Sequence, residues 1–389
     1  MDILSWILLG SLTVIFIIYV GYLVFLKLLS PSNQGAAGDS ENLGSCPRLS
    51  IIVATYNEAN VIRSKLENLN NVTYPKDKYE IIVVDSGSTD NTIQIVEEYR
   101  KKGVILLKQQ KRMGKANALN FALEKASGDI IVLTDANAEF SPESLSALVK
   151  EFDGRTGAVL PRFVPCGKLS YWDKAFHEIH NMYKSSESAA DSVFIVFGEL
   201  FAFRRHLIDR IDEDAAADDL EIAMTIRKKG YRIKYNSDVE VKEKLPSGQK
   251  EVRIQKTRHI FGIIQAMVKN SYFFLNPRYG LYGMLIFPTH FLQMTLGPFL
   301  VFSSLAILLW KLGLIVFTGF PVTVIAVLIT FSALSLLYLT GGLVKKVASL
   351  GYNFFATEVY IIVALINLMR GKKYNVWAKI SSTRDVVAD

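Results

Sequence analysis

The chain has 389 residues, half of them hydrophobic, with a formal net charge of +7 and two cysteines. That length gives room for two or three structural units, and the apolar share is too high for an ordinary soluble protein. Cys46 and Cys166 fit no metal or redox spacing and read as reduced thiols, while the dispersed lysines and arginines form no aromatic-basic motif, which excludes nucleic acid as a partner and assigns the positive excess to membrane topology and anionic headgroups.

Residues 3–25 carry no charge, and the run exceeds the roughly 20 residues needed to cross a hydrocarbon core. A cleaved signal peptide needs a basic start and a short apolar core. Met1-Asp2 and the long run ending near Lys27 favour a retained anchor instead, with the following domain cytoplasmic. Residues 1–29 are therefore the expected anchor and 30–47 a flexible polar linker. Next, LSIIVA (49–54) is a continuous apolar run, as expected of a strand buried on both faces, and it ends in Thr55-Tyr56-Asn57-Glu58. A helical pattern follows through Val61, Ile62, Leu66 and Leu69. YEIIVV (79–84) is the next strand, ending at Asp85. SGSTDNT then turns, with Ser88 or Asp90 available to cap a helix over 92–101. A strand over 104–107, a helix opening at Gly114-Lys115-Ala116 and the strand IIVLT (130–134), delivering Asp135, complete the repeat. Strands alternating with such helices predict βαβ units in a mostly parallel sheet. Thr55–Glu58, Asp85 and Asp135 would then share the strand-end rim where open α/β sheets bind ligands. Taken alone, a strand-end acid such as Asp85 also reads as a helix cap.

Ala217-Asp218-Asp219 opens the helix DLEIAMTIRKKG, where negative charge suits the helix dipole, but two adjacent acids exceed what a cap requires. After a short strand over 231–235, the basic stretch opening at Gln255-Lys256-Thr257-Arg258-His259 continues into an amphipathic pattern suited to a membrane interface. These readings bound a soluble domain at 48–254, an interface helix at 255–278 and a membrane region at 279–389. The uncharged stretches 279–310 and 312–344, and 347–369 with its single Glu358, allow three or four passes. Pro288 and Pro298 are expected to kink or split the first. Lys345-Lys346 and Arg370-Lys372-Lys373 both look cytoplasmic. They agree only if 347–369 is re-entrant or interfacial; otherwise three crossings leave the tail outside. Glu358 inside apolar sequence is a pore or acceptor candidate, and His290 a weaker one.

The motifs IIVATYNE (51–58), IIVVDSGSTDNT (81–92), GKANALNFAL (114–123), GDIIVLTDAN (128–137), ADDLEIAMTIRKKGYRI (217–233) and QKTRH (255–259) resemble those of family-2 glycosyltransferases with a GT-A fold. The resemblance is to the membrane-integrated branch of cellulose, hyaluronan, chitin and poly-N-acetylglucosamine synthases. It implies an α/β GT-A domain, Rossmann-like with a mostly parallel sheet, joined to transmembrane and amphipathic interface helices. It implies that Thr55, Tyr56, Glu58, Asp85, Lys115, Asp135, Gln255 and Arg258 bind the nucleotide, and that Asp219 is the general base. Gly198, Glu199, Asp218 and His259 would face the acceptor. Asp135 and Asn137, standing for the D-x-D element, would hold Mg²⁺ or Mn²⁺, the second acid replaced here by an amide. His259 stands where the family's Q-x-x-R-W element has Trp, and Ala217 and Asp218 replace Thr and Glu of its T-E-D element. Asn375-Val376-Trp377 and Ser382-Thr383-Arg384 resemble the gating segment of hyaluronan-type synthases, the alternative being a Trp-anchored interfacial tail. The expected activity is inverting transfer from a nucleotide sugar, UDP-linked by this reading, to a growing polysaccharide. The alternative is transfer of one sugar to a lipid, such as an isoprenoid phosphate or a glycolipid. The lipid bilayer, the donor and a saccharide or lipid-linked acceptor are the expected partners, and the chain would be a multi-pass protein of the cell membrane.

Overall fold

The computed structural model describes residues 2–29, 46–167, 171–246, 248–318, 342–374 and 381–384. Eight strands form one sheet: β1 (Leu49–Thr55), β2 (Tyr79–Asp85), β3 (Val104–Lys108), β4 (Ile130–Thr134), β5 (Glu139–Phe140), β6 (Thr156–Cys166), β7 (Leu200–Arg204) and β8 (Arg232–Lys244), in the order β3-β2-β1-β4-β7-β6-β8-β5. The first four in that order run parallel, β7 is antiparallel to both neighbours, and β6 pairs β8 in parallel. The sheet is thus a mixed, mostly parallel GT-A sheet.

The apolar runs are buried on both faces because helices cover both sides. Ile51 and Val53 of β1 pack with Ile62, Leu66 and Leu69 of the Ile62–Asn70 helix. Ile52 faces the other way, towards Ala118, Leu119 and Ala122 of the Lys115–Lys125 helix and Ile222 and Ala223 of the Asp218–Lys228 helix. The second cluster continues without a break into Tyr22 and Leu26 of the N-terminal segment and into Tyr282, Ile286 and Phe287. The sheet domain and the apolar helices therefore share one core.

Several boundaries differ from the sequence expectation. The interface helix is Gln249–Lys269, starting six residues before Gln255, because its polar first turn carries no apolar period to reveal it. The 231–235 strand is the start of the longer β8, and the helix expected over 92–101 closes at Glu98. The 279–310 stretch is split as expected, into Phe287–Thr295 and Gly297–Thr318, but residues 282–287 pack into the catalytic core instead of lipid. Among the described residues three helices are long and apolar enough to cross a membrane, at Ile3–Leu29, Gly297–Leu314 and Lys345–Met369. Gly342–Met369 is one uninterrupted helix, and it packs through Ile361 and Ala364 on Ile260, Phe261 and Ile264 of the interface helix. Most of the 312–344 stretch, and residues 375–377, lie outside the described residues.

The membrane base has its own polar cluster. The buried Glu187 carboxylate accepts from Tyr22 Oη at 2.8 Å and the Phe194 amide at 2.9 Å, and lies 2.6 Å from His290 Nε2. Tyr19 Oη donates to Glu358 at 2.8 Å, and Tyr183 Oη to the Tyr19 carbonyl at 2.7 Å. Glu358 and His290, read from sequence as acceptor candidates, thus tie the helices together.

Candidate active site

Parallel pairing sets Thr55 beside Asp85 at the ends of β1 and β2, and antiparallel pairing sets Thr134 beside Leu200. Asp135 and Glu199 consequently meet at the same rim, and the Asp135 amide reaches the Glu199 carbonyl at 3.4 Å. Asp218 and Asp219 come from the first turn of their helix. That helix is held close because Gly262 of the interface helix lets it press on the preceding loop: a Cβ at 262 would come within 2.8 Å of the Ala217 Cβ.

One cleft collects these groups. Thr55, Tyr56 and Glu58 line one end, Lys115 and Asp135 the middle, and Gly198, Glu199, Asp219, Gln255, Arg258 and His259 the other. Lys115 Nζ lies 2.8 Å from Asp135 Oδ1 and 3.8 Å from Asp218 Oδ2. Gly198 makes room for this pairing, since a Cβ there would stand 3.2 Å from Lys115 Nζ and 3.6 Å from Asp219 Oδ2. Tyr56 carries the Arg112 guanidinium 3.9 Å from its ring centroid. The His259 ring stacks on Phe197 with centroids 5.8 Å apart.

Asp85 ends β2 at the same rim. Its carboxylate is buried and turned back into its own loop, accepting from the Gly87 and Ser88 amides and from Ser88 Oγ at 2.5 Å. Ser86, which follows it, lines the cleft. The caps expected from Ser88 or Asp90 are redistributed. Asp90 accepts from the Thr92 amide, and Ser88 serves Asp85 and the Asn57 amide.

The charges differ in state. Burial raises the Asp219 carboxyl to about 7, and the neighbouring Asp218 charge adds to this. Asp135 is held below the usual carboxylate range: burial opposes its charge, but the Lys115 ammonium and its hydrogen bond outweigh that cost. Burial, then Glu243, raises Glu199 to about 8. The His259 imidazole is pushed down to about 3 by burial and by the adjacent Arg258, so it is neutral. The cleft thus pairs an ionised acid beside a lysine with an acid poised near neutrality, a division of labour suited to acid-base work.

One contributor escapes the sequence reading, and a second is read only as part of a segment. Glu243 lines the cleft and accepts from Asn137 Nδ2 at 2.8 Å; burial and then Asp135 raise it to about 7. It arrives there because β5 pairs β8, setting Glu139 opposite Lys242, a register that a two-residue strand does not announce. The second is Arg384, whose Nε lies 2.8 Å from Glu58 Oε2, while the Thr383 carbonyl accepts from Asn137 Nδ2 at 3.3 Å. The segment flagged as Ser382-Thr383-Arg384 therefore forms part of the cleft wall. The enclosed volume is 170 Å³, below the roughly 300–1,000 Å³ of typical ligand pockets.

Among the described residues no three His, Cys, Asp or Glu side chains converge as a ready-made metal cage. Asp135 and Asn137 nevertheless fit a hard divalent cation, because Asn137 Oδ1 is buried with no hydrogen-bond partner and Asp135 is ionised. Such ions take oxygen ligands and complete their shell from phosphates and water.

Comparison with known proteins agrees with this geometry. The family model described as Glycosyl transferase family 2 matches residues 50–212. Poly-beta-1,6-N-acetyl-D-glucosamine synthase of Staphylococcus aureus is 27% identical over 204 residues, covering 50% of this chain and 49% of its own length. Beta-monoglucosyldiacylglycerol synthase of a Nostoc species is 31% identical over 195 residues, covering 47% of this chain and 42% of its own. The chain spans about half the length of the curated relatives it matches. Among solved structures, a mannosyltransferase from Pyrobaculum calidifontis in complex with GDP-Man and Mn²⁺ aligns at TM-score 0.74 and 27% identity, over 95% of this chain and 100% of that one.

Proposed function

We propose that the chain, whose residues 50–212 match the Glycosyl transferase family 2 model, is a glycosyltransferase that moves one hexosyl group from a nucleoside-diphosphate sugar to a membrane lipid, in a single inverting displacement. The observation that carries the chemistry is the convergence of Asp135, Lys115 and Asp219 in one cleft with Arg258. Tyr56, Thr55 and Ser86 line the end that accepts the nucleoside. Lys115 and Arg258 supply positive charge to the diphosphate as it leaves. Asp135 and Asn137 would hold Mg²⁺ or Mn²⁺, which when bound acts as a Lewis acid on that leaving group. Asp219, close to its own titration point, takes the proton from the acceptor hydroxyl. No enzyme nucleophile is needed, so the anomeric configuration inverts.

The acceptor reading rests on the far end of the cleft. Phe197 stacks on His259, filling the shelf on which a sugar acceptor would otherwise lie. This favours a lipid-borne acceptor over a polysaccharide. The mannosyltransferase that aligns over the whole chain supports GDP-mannose as the first donor to test beside UDP-sugars. We place the catalytic domain on the cytoplasmic side of a multi-pass membrane protein, on the Asp2-to-Lys27 bias and the apolar helices. The polysaccharide reading keeps one specific support: Gln255 and Arg258 face the cleft, and residues 383–384 close it, as in chain-extending synthases.

Purified protein in lipid, given labelled GDP-mannose and UDP-sugars in turn, separates the two. A single organic-extractable glycolipid is the expected product. High-mass, detergent-insoluble polymer overturns the lipid reading, and no transfer from any donor overturns the activity.

A further inference from the structure

Beneath the Asp135-Ala136-Asn137 turn lies a buried lysine that the chemistry above does not use. Lys65, on the Ile62–Asn70 helix, is fully buried. Its Nζ donates to Thr134 Oγ1 and to the Ala138 carbonyl, each at 2.7 Å, and sits 4.5 Å from the Phe140 ring centroid. Its two acceptors are the residues immediately before and after the turn. The Thr134 hydroxyl then donates onward to the Glu199 carbonyl at 2.8 Å. The same helix reaches the following residues more peripherally, through Ser64 Oγ to Glu139 Oε1 at 2.9 Å and Asn68 Nδ2 to the Phe140 carbonyl at 2.7 Å. A methionine would fill similar space without the desolvation cost of a buried ammonium. What only the lysine brings is two directed bonds across the turn.

We propose that Lys65 is a positioning residue: it clamps both ends of the Asp135–Asn137 turn so that the side-chain oxygens face a nucleotide-bound divalent cation, and through Thr134 it locks the turn to the Gly198-Glu199 loop. The proposal rests on the reading of this turn as the cation site. Two roles for the ammonium differ in sign. A buried positive charge acting only by electrostatics repels a divalent cation, so removing it tightens binding, whereas removing a clamp weakens it.

The test uses the full chain in detergent with three variants, Lys65→Met, Thr134→Val and Asn68→Ala. Mn²⁺ is titrated in the presence of GDP and, separately, of UDP, and backbone amide exchange over residues 134–140 is followed without any ligand. Lys65→Met is expected to weaken Mn²⁺ binding and to speed exchange at residues 135–138, each about tenfold, from the loss of charge-assisted hydrogen bonds. Thr134→Val moves both in the same direction by less, and Asn68→Ala moves neither. Unchanged exchange, or tighter Mn²⁺ binding, in Lys65→Met overturns the clamp. If that variant does not fold, Thr134→Val decides, and unchanged exchange there overturns it equally. Should the parent bind no Mn²⁺, the cation reading falls while the ligand-free exchange still judges Lys65.

Discussion

Two buried acidic clusters flank the 194–199 loop of this molecule, one through Phe194 and one through Glu199, and they are satisfied in opposite ways. At the sheet rim, Asp135 pairs with a lysine, Asp218 lies farther from the same ammonium, and Asn137 Oδ1 is left without a partner. At the membrane base, both Glu187 oxygens are taken up by an imidazole, a phenol and a backbone amide. The rim keeps bonding capacity open at Asn137, while Glu187 spends its own between helices. An acid that is buried and fully bonded reads as a fastener, and one buried with unmet bonding at a cleft reads as a working group.

That contrast can be broken from either side. Asp219→Asn, at the rim, is expected to lower the transfer rate by about a thousandfold, within the range for a lost general base, while donor affinity measured by titration stays within about twofold. Retained turnover removes Asp219 from its role. At the base, Glu187→Ala strands the Tyr22 and His290 donors, and should cost about 3 kcal/mol of unfolding stability in detergent. The folded fraction keeps its donor KM. A lost KM with unchanged stability would move Glu187 into the site. Gly198→Ala is a finer probe, because the added methyl presses on Lys115 Nζ and Asp219 Oδ2. It should reduce kcat about tenfold with little change in melting temperature. The smallest effect is expected of Tyr19→Phe, which removes one hydrogen bond to Glu358 and about 1 kcal/mol of stability, with kinetics unaltered.

The sheet rim was readable from sequence because a strand covered on both faces must be apolar throughout. Where β1, β2 and β4 end, polarity changes abruptly, at Thr55, Asp85 and Asp135. Asp218 and Asp219 were readable as an excess of charge in a helix's first turn. The reading stopped where contact depends on register or on the inward turn of a side chain. Asp85 marks the end of β2, but the hydrogen bonds its carboxylate accepts from the Gly87 and Ser88 amides are not visible in the sequence. Glu243 sits in VEVKEK, a strand whose alternating charges resemble a solvated edge, and only its pairing with β5 brings it to Asn137. Lys65, within IRSKLENLN, has the spacing of an ordinary helix lysine, and nothing local marks it as buried. The membrane base was least readable, since Tyr19 and Glu358 are 339 positions apart and meet only after three helices have packed.

The account's central claim is that Asp219, raised towards neutrality by burial beside Asp218, is the base that takes the acceptor proton. A carboxyl with a raised pKa is protonated, and useless as a base, below that value, so activity must rise with pH through it. The direct measurement is the single-turnover transfer rate between about pH 5 and about pH 9, at saturating donor and metal. The account predicts a rate that climbs through one ionisation near 7, with that step missing from the residual activity of Asp219→Asn. A rate flat across the range, or the same step surviving in Asp219→Asn, would contradict it.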